Sequence, residues 1–137
     1  MECLLKLNAL VFDEITFKRL GLHSENELKI SFFVSIGTNI PDPDVKKVSV
    51  RISGEKRDEY TFEIQASGFF TYEGEADNII IQQNAVAIVM PYIRSEVSIL
   101  TAQPGVEPVV LPPFNIAEMM KKIHNKQLFR YLYASVT

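Results

Sequence analysis

Residues Ala85 to Asn115 read AVAIVMPYIRSEVSILTAQPGVEPVVLPPFN. The first half has the make-up of a helix that is apolar almost all round. Val86, Ile88, Val89, Met90, Ile93, Val97, Ile99 and Leu100 cannot share one face at about 3.6 residues per turn. Its polar residues, Arg94, Ser95, Glu96 and Ser98, come late. Such a helix needs cover on two sides. One cover is the chain's own sheet. The other is expected to be a second copy of the helix, with Val86, Val89, Met90, Ile93, Val97 and Leu100 at the contact. The helix is predicted to begin between Asn78 and Asn84 and to end near Gln103-Pro104-Gly105. Pro91 should kink or break it, because it has no N–H for the Ala87 carbonyl. A turn-rich segment with four prolines follows, from Gln103 to Phe114. It closes on Asn115, an N-cap residue with Glu118 three positions on, the opening of a second helix.

Ahead of this stretch the sequence alternates. Cys3, Leu5, Leu7, Ala9 and Val11 fall on one face of a long first strand that Ile15 and Phe17 continue, with a bulge expected near Asp13-Glu14. Leu4, Leu10 and Phe12 fall on the other face. After a connection at Leu20–Asn26, Leu28, Ile30, Phe32, Val34 and Ile36 mark a second strand, with Phe33 on its polar face. Pro41 to Asp44 is a turn. Val48, Val50 and Ile52 mark a third strand, and Tyr60 to Tyr72 a fourth. Short connections suggest an antiparallel meander, and both helices come after it. The pattern is α+β: a four-stranded antiparallel sheet with a long helix and a C-terminal helix on one face. The tail from Leu128 is too apolar for a solvated end, and either prolongs the helix or packs in extended form.

A chain of 137 residues suits one domain, 1–137. A net charge of −3 gives no footprint for nucleic acid. A lone cysteine, Cys3, permits no intramolecular disulfide and no multi-cysteine metal site, and fits a small core residue. There is no basic segment ahead of an apolar run, so no signal peptide is expected. No stretch approaches about 18 uncharged apolar residues, so no membrane insertion is expected and the default location is the cytoplasm.

The residues advertise no chemistry. His23 and His124 lie far apart and without ligand spacing, and read as surface histidines. The carboxylates are scattered, and the glycines form no phosphate cradle. No catalytic residue, metal or cofactor is expected. The aromatic residues are more suggestive: Phe12, Phe33 and Phe69 stand on otherwise polar faces, and Phe129, Tyr131 and Tyr133 alternate in the tail. Together they suggest a hydrophobic groove.

The order of parts resembles the SecB family. Met90-Pro91-Tyr92-Ile93-Arg94-Ser95-Glu96 is similar to that family's Phe-Pro-Tyr-Ala-Arg-Glu, with one residue more. Leu111, Pro113 and Asn115 match its Leu-x-Pro-x-Asn-Phe, with Ile116 in place of Phe. Phe62-Glu63-Ile64-Gln65-x-x-Gly68-Phe69-Phe70 resembles its Glu-Val-Gln-x-Gly-Gly-Ile-Phe, and Asp13-Glu14-Ile15-Thr16-Phe17 its Lys-Asp-Ile-Ser-Phe.

The resemblance implies a cytoplasmic chaperone, a homotetramer built as a dimer of dimers on its long helices. It would hold unfolded polypeptide clients in hydrophobic grooves without nucleotide. Candidate groove residues are Leu22, Phe33, Phe69, Val109, Leu111 and Phe114. Glu14 and Glu63 fall at two acidic positions where the family docks the export motor ATPase. At a third such position this chain has Lys18, and an aromatic end with Arg130 replaces the family's acidic tail. These departures suit an antitoxin or another client as well as a preprotein. The alternative is a structural or regulatory protein that keeps the fold and has lost client binding.

Overall fold

The computed structural model describes residues 4–38, 44–74, 78–124 and 129–133. Cys3, residues 41–43 of the proposed turn, residues 75–77 of the link into the helix, and the ends of the tail lie outside them.

Four strands precede the helices: β1 (Leu4–Arg19), β2 (Leu28–Thr38), β3 (Lys46–Lys56) and β4 (Tyr60–Glu73). α1 (Asn78–Thr101), α2 (Ile116–His124) and a short β5 (Phe129–Tyr133) follow. The α+β class and the order of elements are those read from the sequence. The meander holds for β2–β3–β4. β1 differs, because it crosses over and pairs with β4, giving the antiparallel order β1-β4-β3-β2-β5. This is Greek-key connectivity, in which a long connection brings the remaining strand beside the far end of a three-strand meander. The tail is extended where it is described, since β5 pairs with β2.

β1 carries two irregularities in its pairing, one between Leu7 and Ala9 and one between Phe12 and Glu14. Only the second was expected. Each inserts a residue and flips the alternation that follows. Leu5, Leu7, Leu10, Phe12 and Phe17 therefore pack toward the core, while Ala9 and Val11 turn to the outer face. The missed bulge at Asn8 is why strict alternation put Ala9 and Val11 inside.

The core lies between one face of the sheet and α1. Ile30, Phe32, Val50, Ile52, Phe62, Ile64 and Phe70 from the sheet are fully buried, against Val86, Val89, Ile93 and Val97 of the helix. Each such side chain contributes about 1.5–3 kcal/mol of hydrophobic transfer. Gly54 stands opposite Phe62 in the ladder, and a Cβ there would lie 2.1 Å from the Phe62 ring. The glycine makes room for that ring. α1 runs unbroken through Pro91. α2 starts as its sequence suggests: the Glu118 amide donates to the Asn115 side-chain oxygen at 3.1 Å.

The crossover, residues 20–27, passes along the end of the sheet and is fastened to the β3–β4 turn. Leu20 and Gly21 donate their amides to the Glu59 carbonyl at 2.8 and 3.1 Å. The Ser24 amide donates to the Glu59 carboxylate at 2.9 Å, and the Asn26 side chain to the Arg57 carbonyl at 2.9 Å. Asp58, in the same turn, holds a left-handed φ of 66°.

Candidate functional site

Two connections approach each other at Arg19. The first is the crossover; the second is the segment joining α1 to α2. The second is held by side chains of the helix it leaves. Thr101, fully buried, donates from Oγ1 to the Val97 carbonyl at 2.7 Å and accepts the Val109 amide at 2.8 Å. Ser98 donates to the Val109 carbonyl at 2.8 Å. Both backbone polar groups of Val109 are thus satisfied without regular secondary structure. Alternation along the segment then buries Val109 and Leu111 and leaves Val110 68% exposed.

Arg19 links the two connections. Its guanidinium donates to the carbonyls of Gly21 and Leu22 in the crossover. It also stands over Gly105, where a Cβ would lie 3.6 Å from Nη2. Arg19 had no place in the sequence reading, since a single arginine at a strand end carries no pattern. Its bonds fix the backbone at Gly21 and Leu22, where the Leu22 side chain is 85% exposed; Leu20, whose amide is held by the Glu59 carbonyl, is 49% exposed. Leu20, Leu22 and Val110 are large apolar groups held in solvent by hydrogen-bonded backbone.

Glu59 anchors this arrangement from below. Burial alone would raise its pKa. The hydrogen bonds from Lys56 and the Ser24 amide, and the charges of Lys56 and His23, outweigh that and hold it below the usual glutamate value. Lys56 Nζ lies 3.0 Å from its carboxylate, and His23 Nδ1 3.6 Å.

The expected groove residues do not form one surface. Leu22 is on the crossover. Val109 and Leu111 are in the core, and Phe114 is half-buried with its ring edge-on to Phe32 at 5.1 Å. Phe33 and Phe69 are on the opposite, outer face of the sheet. Phe33 is exposed there, and Phe69 pairs with Ala9 while Lys47 lies over its ring.

That outer face is polar and internally paired. Arg51 sits between Glu14 and Glu63 and forms ion pairs with both, at 2.7 Å to Glu14. Asp13, turned outward by the bulge, accepts from Ser67, which also bonds Ser49 at 2.7 Å. A concavity of about 1020 Å³ opens at one end of this face, lined by Thr16, Lys18, Lys29, Ser31, Ser53 and Thr61 among others. Among the described residues no group of three or more histidine, cysteine or carboxylate side chains could hold a metal ion.

The helix face expected at the interface is a further correction. Val86, Val89, Met90, Ile93 and Val97 lie in the chain's own core, and Leu100 is half-buried against it. The side of the helix turned away from the sheet exposes Ile80, Tyr92 and Ile99, at 49%, 47% and 66%; Tyr92 and Ile99 lie about 20° apart, and Ile80 about 100–120° round from them. The stripe expected at a second copy is thus the one that packs on the chain's own sheet. Sequence could not rank two apolar stripes; contact with the sheet does.

No family model matches the chain. The uncharacterized protein MJ0357 of Methanocaldococcus jannaschii is 34% identical over 134 aligned positions, covering 89% of this chain and 86% of that protein. This chain belongs to the MJ0357 family. Among solved structures, the Mycobacterium tuberculosis Rv1957 SecB-like chaperone, in complex with a ChAD peptide from the Rv1956 HigA1 antitoxin, superposes with a TM-score of 0.63 at 16% identity. It covers 81% of this chain and 88% of its own. A Streptococcus agalactiae protein of unknown function matches with a TM-score of 0.51 at 11% identity, over 82% of this chain and all of that one. This member of the MJ0357 family therefore has a SecB-like fold. Among its described residues no helix is long and apolar enough to cross a membrane.

Proposed function

We propose that this protein is a chaperone of the SecB type, which binds non-native polypeptides in the cytoplasm, uses no nucleotide and catalyses no bond change. The observation that carries the reading is the pair of fixed connections presenting Leu20, Leu22 and Val110 to solvent, on a fold shared with a chaperone solved with a peptide bound. Apolar groups held out by hydrogen-bonded backbone have already met their ordering cost, so an unfolded chain gains contact area at little further loss. Binding then keeps that chain from aggregating by mass action.

Glu14 and Glu63 already share Arg51, so a cationic docking partner must compete with an internal ion pair. This favours a client such as an antitoxin over coupling to the export motor ATPase. The assembly we propose is a homotetramer in which Ile80, Tyr92 and Ile99, not the core stripe, meet the second copy.

The test is suppression of aggregation of a reductively unfolded client, run beside the solution mass by light scattering. Suppression at near-stoichiometric amounts of an oligomer is expected. An oligomer that leaves aggregation unchanged means that the fold serves another interaction and sinks the chaperone reading.

A further inference from the structure

The two edges of the sheet differ. β1 is broken by two bulges, and a bulged edge twists away from an incoming strand. β2 keeps register with β3 from Leu28 to Thr38 without a shift, so its far edge is regular and suited to strand addition. The chain puts its own strand there. β5 pairs antiparallel with Leu28–Phe32, and β2 is its one neighbour in the sheet. Its described part has five residues, Phe129–Tyr133. An edge strand held by one ladder opens more easily than strands paired on both sides. The register sets Phe129, Tyr131 and Tyr133 opposite Phe32, Ile30 and Leu28, with which β2 faces the core. Arg130 and Leu132 stand opposite Ser31 and Lys29. A strand at this edge is therefore read at alternate positions.

We infer that the β2 edge at Leu28–Phe32 is a binding site for an extended polypeptide with apolar or aromatic residues at every second position, and that β5 is its built-in competitor. This rests on the polypeptide-binding function proposed above and adds where the backbone of the client is held. A tethered competitor lowers apparent affinity by the fraction of molecules in which the edge is open. Segments that resemble β5, or that gain further contacts on the exposed leucines of the crossover, displace it. Others do not.

The full-length chain tests this in three forms, all carrying Cys3→Ser. One is otherwise unchanged. The second carries Tyr131→Pro with Leu132→Pro: successive amides of a strand point to opposite sides, so one of the two must face β2. The third carries Lys29→Cys with Leu132→Cys, directly opposite in the register, joined by oxidation. The probe is a fluorescein-labelled peptide of residues 126–137, KQLFRYLYASVT, followed by anisotropy. The proline form should bind at least tenfold more tightly than the parent, and the oxidised form at least tenfold more weakly than when reduced. Equal binding by all forms, or weaker binding by the proline form with oxidation without effect, overturns the inference. If the parent suppresses client aggregation and oxidation leaves that unchanged, the edge site alone is wrong. If no form binds peptide or suppresses aggregation, the chaperone reading falls with it.

Discussion

The Val109 amide donates to Thr101 Oγ1 at 2.8 Å, and the same hydroxyl donates to Val97 inside α1. One buried side chain thus ends a helix and fixes the connection that follows it. Thr101→Val keeps the shape and removes the acceptor, leaving a buried amide unsatisfied. The cost should be about 2 kcal/mol. Ser98→Ala, which removes the bond to the Val109 carbonyl at a half-buried site, should cost about 1 kcal/mol. Urea midpoints at constant slope measure both. Faster exchange of the Val109 amide in Thr101→Val, ahead of global unfolding, is the local signature.

Gly21 lies against the β3–β4 turn so closely that a Cβ would sit 2.3 Å from the Asp58 carbonyl oxygen. That neighbour is backbone in a strained turn and cannot swing aside. Gly21→Ala should lift the crossover from Glu59 and cost about 1–3 kcal/mol. In a denaturant titration a variant as stable as the parent would mean that the crossover is not seated as described.

The fold was legible because its signals are periodic. Alternation marked β2, β3 and β4, and Asn115 with Glu118 marked the start of α2. The crossover was not legible, because pairing of β1 with β4 is set by contacts some fifty residues apart, and short-range pattern does not encode them. The candidate site was legible in part. Leu22 was named for its place in a connection, and it is exposed. Val109 and Leu111 were named for theirs and are core, because Ser98 and Thr101 turn that segment inward. Arg19, whose bonds hold Leu22 out, had no signature at all.

Glu59 makes the molecule sensitive to acid. The unfolded glutamate titrates at its ordinary value of 4.5, and the folded one lower. The ionised carboxylate therefore contributes its full stabilisation above the ordinary value, and the contribution is lost as pH falls through the folded pKa. Glu59→Gln should cost about 2 kcal/mol at pH 7, since it weakens bonds to Lys56 and the Ser24 amide at a buried site. The stability curves of parent and variant should converge below pH 4.5. A gap that persists unchanged into acid would assign the loss to packing rather than charge.

Arg51 joins Glu14 and Glu63 across three strands at a half-exposed site. Pairs of this kind contribute about 0.2–1 kcal/mol each. Arg51→Gln should cost no more than about 1 kcal/mol by that measure, with a smaller difference at high salt. It should also leave both glutamates open to a cationic partner, so binding of a fluorescent lysine-rich peptide should rise at low salt and vanish at high salt. No gain in binding would show that the outer face is not held neutral by Arg51.

Tyr92 and Ile93 are neighbours in sequence, about 100° apart around α1: one is 47% exposed, the other fully buried. Glutamate at the two positions should fail in different ways. Ile93→Glu places an unpaired charge in the core between helix and sheet, where burial costs several kcal/mol, and the chain should not fold stably. Tyr92→Glu leaves the core intact, so its circular dichroism should match that of the parent. If the exposed side of the helix, which carries Ile80, Tyr92 and Ile99, meets a second copy, Tyr92→Glu should lower the mass in light scattering while the subunit stays folded. A folded Tyr92→Glu variant at the mass of the parent would remove this side of the helix from the assembly. A folded Ile93→Glu variant of reduced mass would restore the buried stripe to it, against the packing described here.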